Sequence, residues 1–128
     1  MTDIAPNIRL KRIYDPPSPE DGWRVLSMRY WPRGVPRGVM DEYTTKTAPS
    51  RELLHSFKHG GLSWEDYVPR YLAEMRSDTA QREISRLANI AHTRTVTLMC
   101  GCENEQRCHR FLLRDLMIEW ATKRARVA

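Results

Sequence analysis

Three cysteines crowd one short stretch of the chain, Cys100-Gly101-Cys102-Glu103-Asn104-Glu105-Gln106-Arg107-Cys108-His109-Arg110. Thiols, an imidazole and guanidinium groups at this spacing can do nucleophilic or redox thiol chemistry, hold a thiophilic metal, or bind an anion. The segment follows an apolar, β-branched run and precedes a helical pattern. That order puts it between a strand's carboxyl end and a helix N-terminus, where unpaired backbone N–H groups favour a thiolate or another anion. Cys108, at the start of the helix, is therefore the thiol expected to react. Cys100 is a second thiol, and His109 would orient or shuttle protons.

A second segment, Arg29-Tyr30-Trp31-Pro32-Arg33-Gly34, leaves another predicted strand. In parallel sheets ligands gather at the strands' carboxyl ends. If the two segments meet there, Arg29, Arg33 and Arg110 would hold a phosphate- or carboxylate-bearing ligand through their planar forks, with Trp31 beside it.

Sharper templates fit less well. A phosphatase or rhodanese-type loop sets its Arg six positions after the Cys, but Gln106 stands there for Cys100 and Cys108 for Cys102. A zinc site would use Cys100, Cys102, Cys108 and His109, although adjacent Cys and His point apart on a helix and no familiar finger or ribbon spacing is met. No metal ligand and no resident cofactor is therefore assigned. A C-x-C disulfide is strained, whereas a redox bridge from Cys108 to Cys100 or Cys102 is sterically conceivable. The plain alternative keeps Cys100 as a buried strand residue, Cys108 as a small filler and His109 as a hydrogen-bonding orienter. Outside this segment, His55 and His59 share a helix face but have no accompanying carboxylate motif, which reads as an exposed face. Trp64, Tyr67 and Tyr71, at helical spacing, read as core. Asp41 and Glu42 have no matched partner in sequence.

The elements that must position these groups can be read from the pattern. Strands are predicted over residues 8–14, 23–30 and 95–100, the last apolar enough to be central. A run rich in Pro and Gly, residues 15–22, separates the first two. Helices are predicted after Ser50 as far as Gly60-Gly61, from Ser63 with a kink or break at Pro69, from about residue 78, and from near Cys108 to a basic last turn at Lys123, Arg124 and Arg126. Strands separated by helical stretches imply crossover connections. The expectation is an α/β fold: a small, mostly parallel sheet flanked by helices, three-layered and Rossmann-like, with room for one further short strand.

Composition bounds the rest. The chain has 128 residues, 41% hydrophobic and 29% charged, which suits one folded domain over residues 1–128 and argues against disorder. No apolar run approaches the roughly 20 residues of a membrane span, so no membrane partner is expected. The opening residues MTDIAPNIRLKR carry no signal-like apolar stretch, so a cytoplasmic location is expected. The net charge is +5, and only four of the 21 basic residues are lysines. The arginines are scattered, so a nucleic-acid partner is weakly supported and a small anionic ligand is preferred.

Residues 8–15 (IRLKRIYD), Asp21-Gly22, Trp31-Pro32-Arg33-Gly34, Ala48-Pro49-Ser50 and Glu52-Leu53 resemble the uncharacterised YeaO-like proteins of domain of unknown function family 488. The likeness extends over nearly the whole chain and implies a small α/β fold, with no established activity to transfer. Leu98-Met99-Cys100 and Cys108-His109-Arg110 are similar to another branch of that family. The resemblance implies a polar cluster of Arg29, Cys100, Cys108, His109 and Arg110. Met28 stands where YeaO-like chains carry Asp, and Cys102 takes the place of a Glu, with Glu103 one position on.

Overall fold

A computed structural model describes residues 6–102 and 104–127, the side chains of residues 105 and 125–127 excepted. Residues 1–5 of the opening stretch, Glu103 and the Arg126 side chain lie outside the described residues. Four strands, β1 (Ile8–Arg12), β2 (Trp23–Ser27), β3 (Glu42–Thr44) and β4 (Val96–Cys100), form one all-parallel sheet in the order β1-β4-β2-β3. β4 is central and every one of its residues is buried, as its run of Val, Leu, Met and Cys demands. The further short strand is β3. Its three residues, Glu-Tyr-Thr, are too few to show a period of two.

Four α-helices follow: α1 (Arg51–Lys58), α2 (Trp64–Glu74), α3 (Asp78–Thr93) and α4 (His109–Val127). Ser50, Ser63 and Ser77 cap the first three, each hydroxyl accepting a first-turn backbone N–H. α2 runs through Pro69 as one element, because that residue sits on the exposed side and removes only one backbone hydrogen bond.

Alternation along the strands sorts side chains to two faces. Val25, Val96 and Leu98 pack against Leu53 of α1, Tyr67 and Tyr71 of α2, Ile84 and Leu87 of α3, and Leu113 and Met117 of α4. The opposite face carries Leu26 and Met99, covered by Ile13, Met28, Val35, Val39 and Met40. The layer on that side is thus built from connecting segments and short 3₁₀ turns rather than helices.

That thinner side is held by charge. Asp21 is fully buried and accepts hydrogen bonds from Lys11 Nζ (2.9 Å), the Ser18 backbone N–H (3.0 Å) and Arg24, with Arg9 at 3.6 Å. Its backbone carbonyl accepts from Thr97 Oγ1 at 2.7 Å, tying β1, β2 and β4 together. Burial alone would raise the Asp21 pKa. The bonds from Lys11, Ser18 and Arg24 outweigh it and hold the carboxyl below its ordinary value. A depressed pKa stabilises the fold above the unfolded value of about 3.9, and that contribution is lost as pH falls through the folded value. Asp21→Asn should leave Lys11 and Arg24 without their counter-charge and lower stability at neutral pH by about 3 kcal/mol, measured by denaturant unfolding. The loss relative to wild type should shrink below pH ~4.

Candidate functional site

β4 ends at Cys100 and α4 begins at His109, so the intervening loop folds back over the carboxyl edge of the sheet. Asn104 caps a 3₁₀ turn at Glu105–Arg107 by accepting the Gln106 N–H, and Cys108 follows in extended backbone. This return brings Sγ of Cys100 and Cys108 to 2.7 Å, and the three cysteine sulfurs all lie within 4.8 Å of one another. The backbone N–H of Cys102 points at Cys100 Sγ (3.4 Å). Cys100 and Cys108 are buried, while Cys102 is partly open.

Each sulfur has its own polar neighbour. Lys58 Nζ, from the last turn of α1, lies 3.6 Å from Cys102 Sγ. Arg110 donates to both the carbonyl and Sγ of Cys100, each at 3.2 Å. His109 Nδ1 lies 3.7 Å from Cys108 Sγ. Arg110 is 1% exposed, its Nε is unpartnered, and among the described residues it makes no ion pair with a carboxylate. A buried cation without a counter-charge is expensive. The thiols are the groups available to supply one.

His109 cannot share in that charge. Its Nε2–H donates to the Ser27 carbonyl at 2.7 Å, with Ser27 Oγ at 3.2 Å, which leaves Nδ1 as the free lone pair. Ser27 Oγ pairs with Thr47 Oγ1 (2.9 Å), and the Thr47 carbonyl accepts from Tyr71 OH (2.8 Å). Burial pushes the His109 pKa down to about 4, so the ring is neutral at pH 7. Burial likewise keeps the Tyr71 phenol protonated.

Of the three thiols, Cys102 is the one whose pKa is lowered. Hydrogen bonds from the Cys100 and Cys108 thiols lower its pKa well below the ordinary thiol range, and Lys58 adds to the effect. Interaction with Cys102 raises Cys100 to about 11 against the opposing effect of Cys108, and interaction with Cys100 and Cys102 raises Cys108 further. The sequence points to Cys108 as the reactive thiol. In the fold Cys108 is buried with its pKa raised, whereas Cys102 is partly open with its pKa lowered.

Access comes from a cavity of about 450 Å³ whose wall includes Cys100, Gly101, Cys102 and His109 on one side and Met28, Arg29 and Tyr30 on the other. The second-strand exit and the cysteine loop therefore share one hollow. Arg29 is anchored in its wall, donating to the carbonyls of Pro49 (2.9 Å), Thr45 (3.2 Å) and Ala48 (3.3 Å). Cys108 and Arg110 sit behind the wall. Trp31 and Arg33 are exposed and do not line the cavity; the Trp31 indole donates to Val35 O and meets Tyr43 edge-on. Unforeseen contributors come from α1, where Arg51, Leu54, His55, Lys58 and His59 complete the lining. Their spacing along one helical face is legible in the sequence, but nothing there says that this face meets the cysteine loop. Ser27, Thr47 and Tyr71 carry no motif at all.

The three sulfurs are close enough to hold a thiophilic metal ion. Arg110 and Lys58, at hydrogen-bond distance from two of them, oppose an added cation and favour an unmetallated thiolate.

The family model described as the active DUF488-N3 subclade, DUF488-N3a, matches residues 8–121. The chain belongs to this DUF488 family. It is 35% identical to the uncharacterized protein YeaO of Escherichia coli over 111 residues, spanning 85% of this chain and 95% of YeaO. It is also 28% identical over 112 residues to uncharacterized proteins of Mycobacterium bovis and Mycobacterium tuberculosis, spanning 86% of this chain and 92% of theirs. No solved structure matches. Among the described residues, no helix is long and apolar enough to cross a membrane.

With limiting iodoacetamide on the native protein, Cys102 should label first and retain its reactivity well below pH ~8.5, as peptide mapping would show. Cys100 and Cys108 should label only on unfolding. A second check concerns His109, whose folded pKa of about 4 lies below its unfolded value of about 6.5. The unfolded chain takes this proton first, so stability should fall as pH drops from ~6.5 to ~4, by about 3 kcal/mol. In His109→Gln this limb of the stability curve should flatten.

Proposed function

We propose that this chain binds a small phosphate- or carboxylate-bearing ligand in the strand-end cavity and acts on it with a cysteine thiolate. One observation carries the reading. Among the described residues, the lining includes the cations Arg29, Arg51 and Lys58, the cysteines Cys100 and Cys102, and no carboxylate. Cations gathered around a partly enclosed space favour an anion there, since the wall lowers the effective dielectric and strengthens the attraction. Arg29, held by three carbonyls, contributes a fixed charge, whereas Arg51 and Lys58 are exposed, Arg51 over the Tyr30 ring and Lys58 beside Cys102. Met28, Pro49, Leu54 and the ring of Tyr30 supply an apolar wall for the remainder of such a molecule. The cavity opens on Cys102, so a bound anion would lie beside the most acidic thiol. The family's description as an active subclade agrees with chemistry at this site and names no reaction.

Anion binding can be read through the thiol. Inorganic phosphate should slow iodoacetamide labelling of Cys102 in a saturable way, against sodium chloride matched for ionic strength. Arg51→Ala should weaken the protecting concentration about tenfold, the cost of one charge-assisted hydrogen bond. Labelling indifferent to both phosphate and acetate would overturn the reading.

A further inference from the structure

A single nucleophile needs one activated thiol, yet this loop supplies three, each with a different polar partner. Cys102 faces the cavity beside Lys58. Cys108 is enclosed behind it, its sulfur 3.7 Å from the Nδ1 lone pair of His109. Cys100 lies between the helix start and the strand end, held by Arg110. All three sulfurs are within 4.8 Å, a separation that small side-chain rotations convert into a disulfide. We propose that the chain is a thiol–disulfide exchange protein whose substrate is a small carboxylate-bearing disulfide, with Cys102 as the attacking thiolate and Cys108 as the resolving thiol.

The steps balance without any further reagent. The Cys102 thiolate attacks one sulfur of the substrate disulfide RSSR; a Cys102–SR bond forms, the substrate S–S bond breaks, and RS⁻ departs. Cys108 gives its proton to that thiolate, making RSH. The new Cys108 thiolate attacks Cys102 Sγ; the Cys102–SR bond breaks, a Cys102–Cys108 disulfide forms, and a second RS⁻ leaves. One disulfide has been reduced by two electrons and two protein sulfurs have been oxidised by two. Charge sets the order of events. While Cys102 is ionised, a second thiolate within 4.8 Å is opposed, so Cys108 keeps its proton. Capping Cys102 with R removes that repulsion and frees Cys108 to ionise. The neutral His109, pinned by Ser27, keeps its Nδ1 lone pair 3.7 Å from Cys108 Sγ, ready to accept the S–H once Cys102 is capped. Cys100 is the poorer resolver, because a Cys100–Cys102 bridge would close a strained C-x-C ring. Specificity for a carboxylate-bearing R group follows from Arg51, Lys58 and the fixed Arg29, so the inference rests on the anion-binding cavity proposed above.

The test exposes fully reduced, full-length protein to two disulfides, oxidised glutathione, which bears carboxylates, and cystamine, which bears amines. Thiols are counted and adducts mapped by mass spectrometry. With oxidised glutathione the wild type should lose two thiols and end with a Cys102–Cys108 bridge and no adduct, at least tenfold faster than with cystamine. Cys108→Ser should stop at a glutathione adduct on Cys102, and Cys102→Ser should lose the fast phase; circular dichroism confirms that both variants are folded. Equal rates with the two disulfides, still ending in the bridge, would support the relay and overturn the anion-selective cavity. Phosphate protection of Cys102 with all three thiols still free after oxidised glutathione would support the cavity and overturn the relay. A stable adduct on Cys102 in the wild type would also overturn the relay.

Discussion

A fully buried guanidinium that meets no carboxylate among the described residues sets the character of this protein's cysteine loop. Arg110 lies in the first turn of α4, under the end of the central strand, and donates to the carbonyl and sulfur of Cys100. Inside a protein a fixed charge of one sign needs the other nearby. His109 beside it is neutral, and the phenol of Tyr71 keeps its proton. Among the described residues, the cysteine sulfurs are the groups nearest to hand, Cys100 Sγ first. Because the three sulfurs crowd together, their titrations are linked: the Cys102 pKa is lowered and those of Cys100 and Cys108 are raised.

The fold supplies the means. A central strand buried on both faces delivers Cys100 to a fixed point, and α4 starts close enough to return Cys108, His109 and Arg110 to the same place. On the helical face, the polar chain His109–Ser27–Thr47–Tyr71 links α4 to β2, to the connection after β3 and to α2. The opposite face is thinner and depends on the Asp21 cluster, itself a buried charge with every partner present. The two charge centres contrast. Asp21 is answered by three cationic side chains, whereas Arg110 is answered by the carbonyl and sulfur of Cys100.

Much of this was legible in the amino-acid order. β4 declared itself because five consecutive apolar or β-branched residues suit a strand covered on both sides, and serine caps marked the first two helices. The two strand exits could be expected to converge, since parallel strands end on one edge. β3 left no signal, being three residues of mixed polarity whose place is decided by pairing with β2 and by Glu42 meeting Arg86 and Trp23. For the site, the cysteine cluster and Arg29 could be read, but the identity of the ionising thiol could not. A helix-start argument points to Cys108. The structure adds burial of Cys108 and the contact of Cys102 with Lys58, which stands 44 residues earlier in the chain. Contacts between distant segments, set by how α1 packs, are invisible to spacing. Trp31 and Arg33 show the converse, a distinctive local motif that the turn directs to the surface.

The thiolate itself can be counted. Ultraviolet absorbance near 240 nm, followed against pH on the reduced native protein and compared with the denatured chain, gives the number of ionised thiols directly. The account predicts one thiolate per chain at pH 7, persisting to acid pH and abolished in Cys102→Ser. A native protein with no thiolate until the pH approaches the ordinary value of about 8.5 would contradict it.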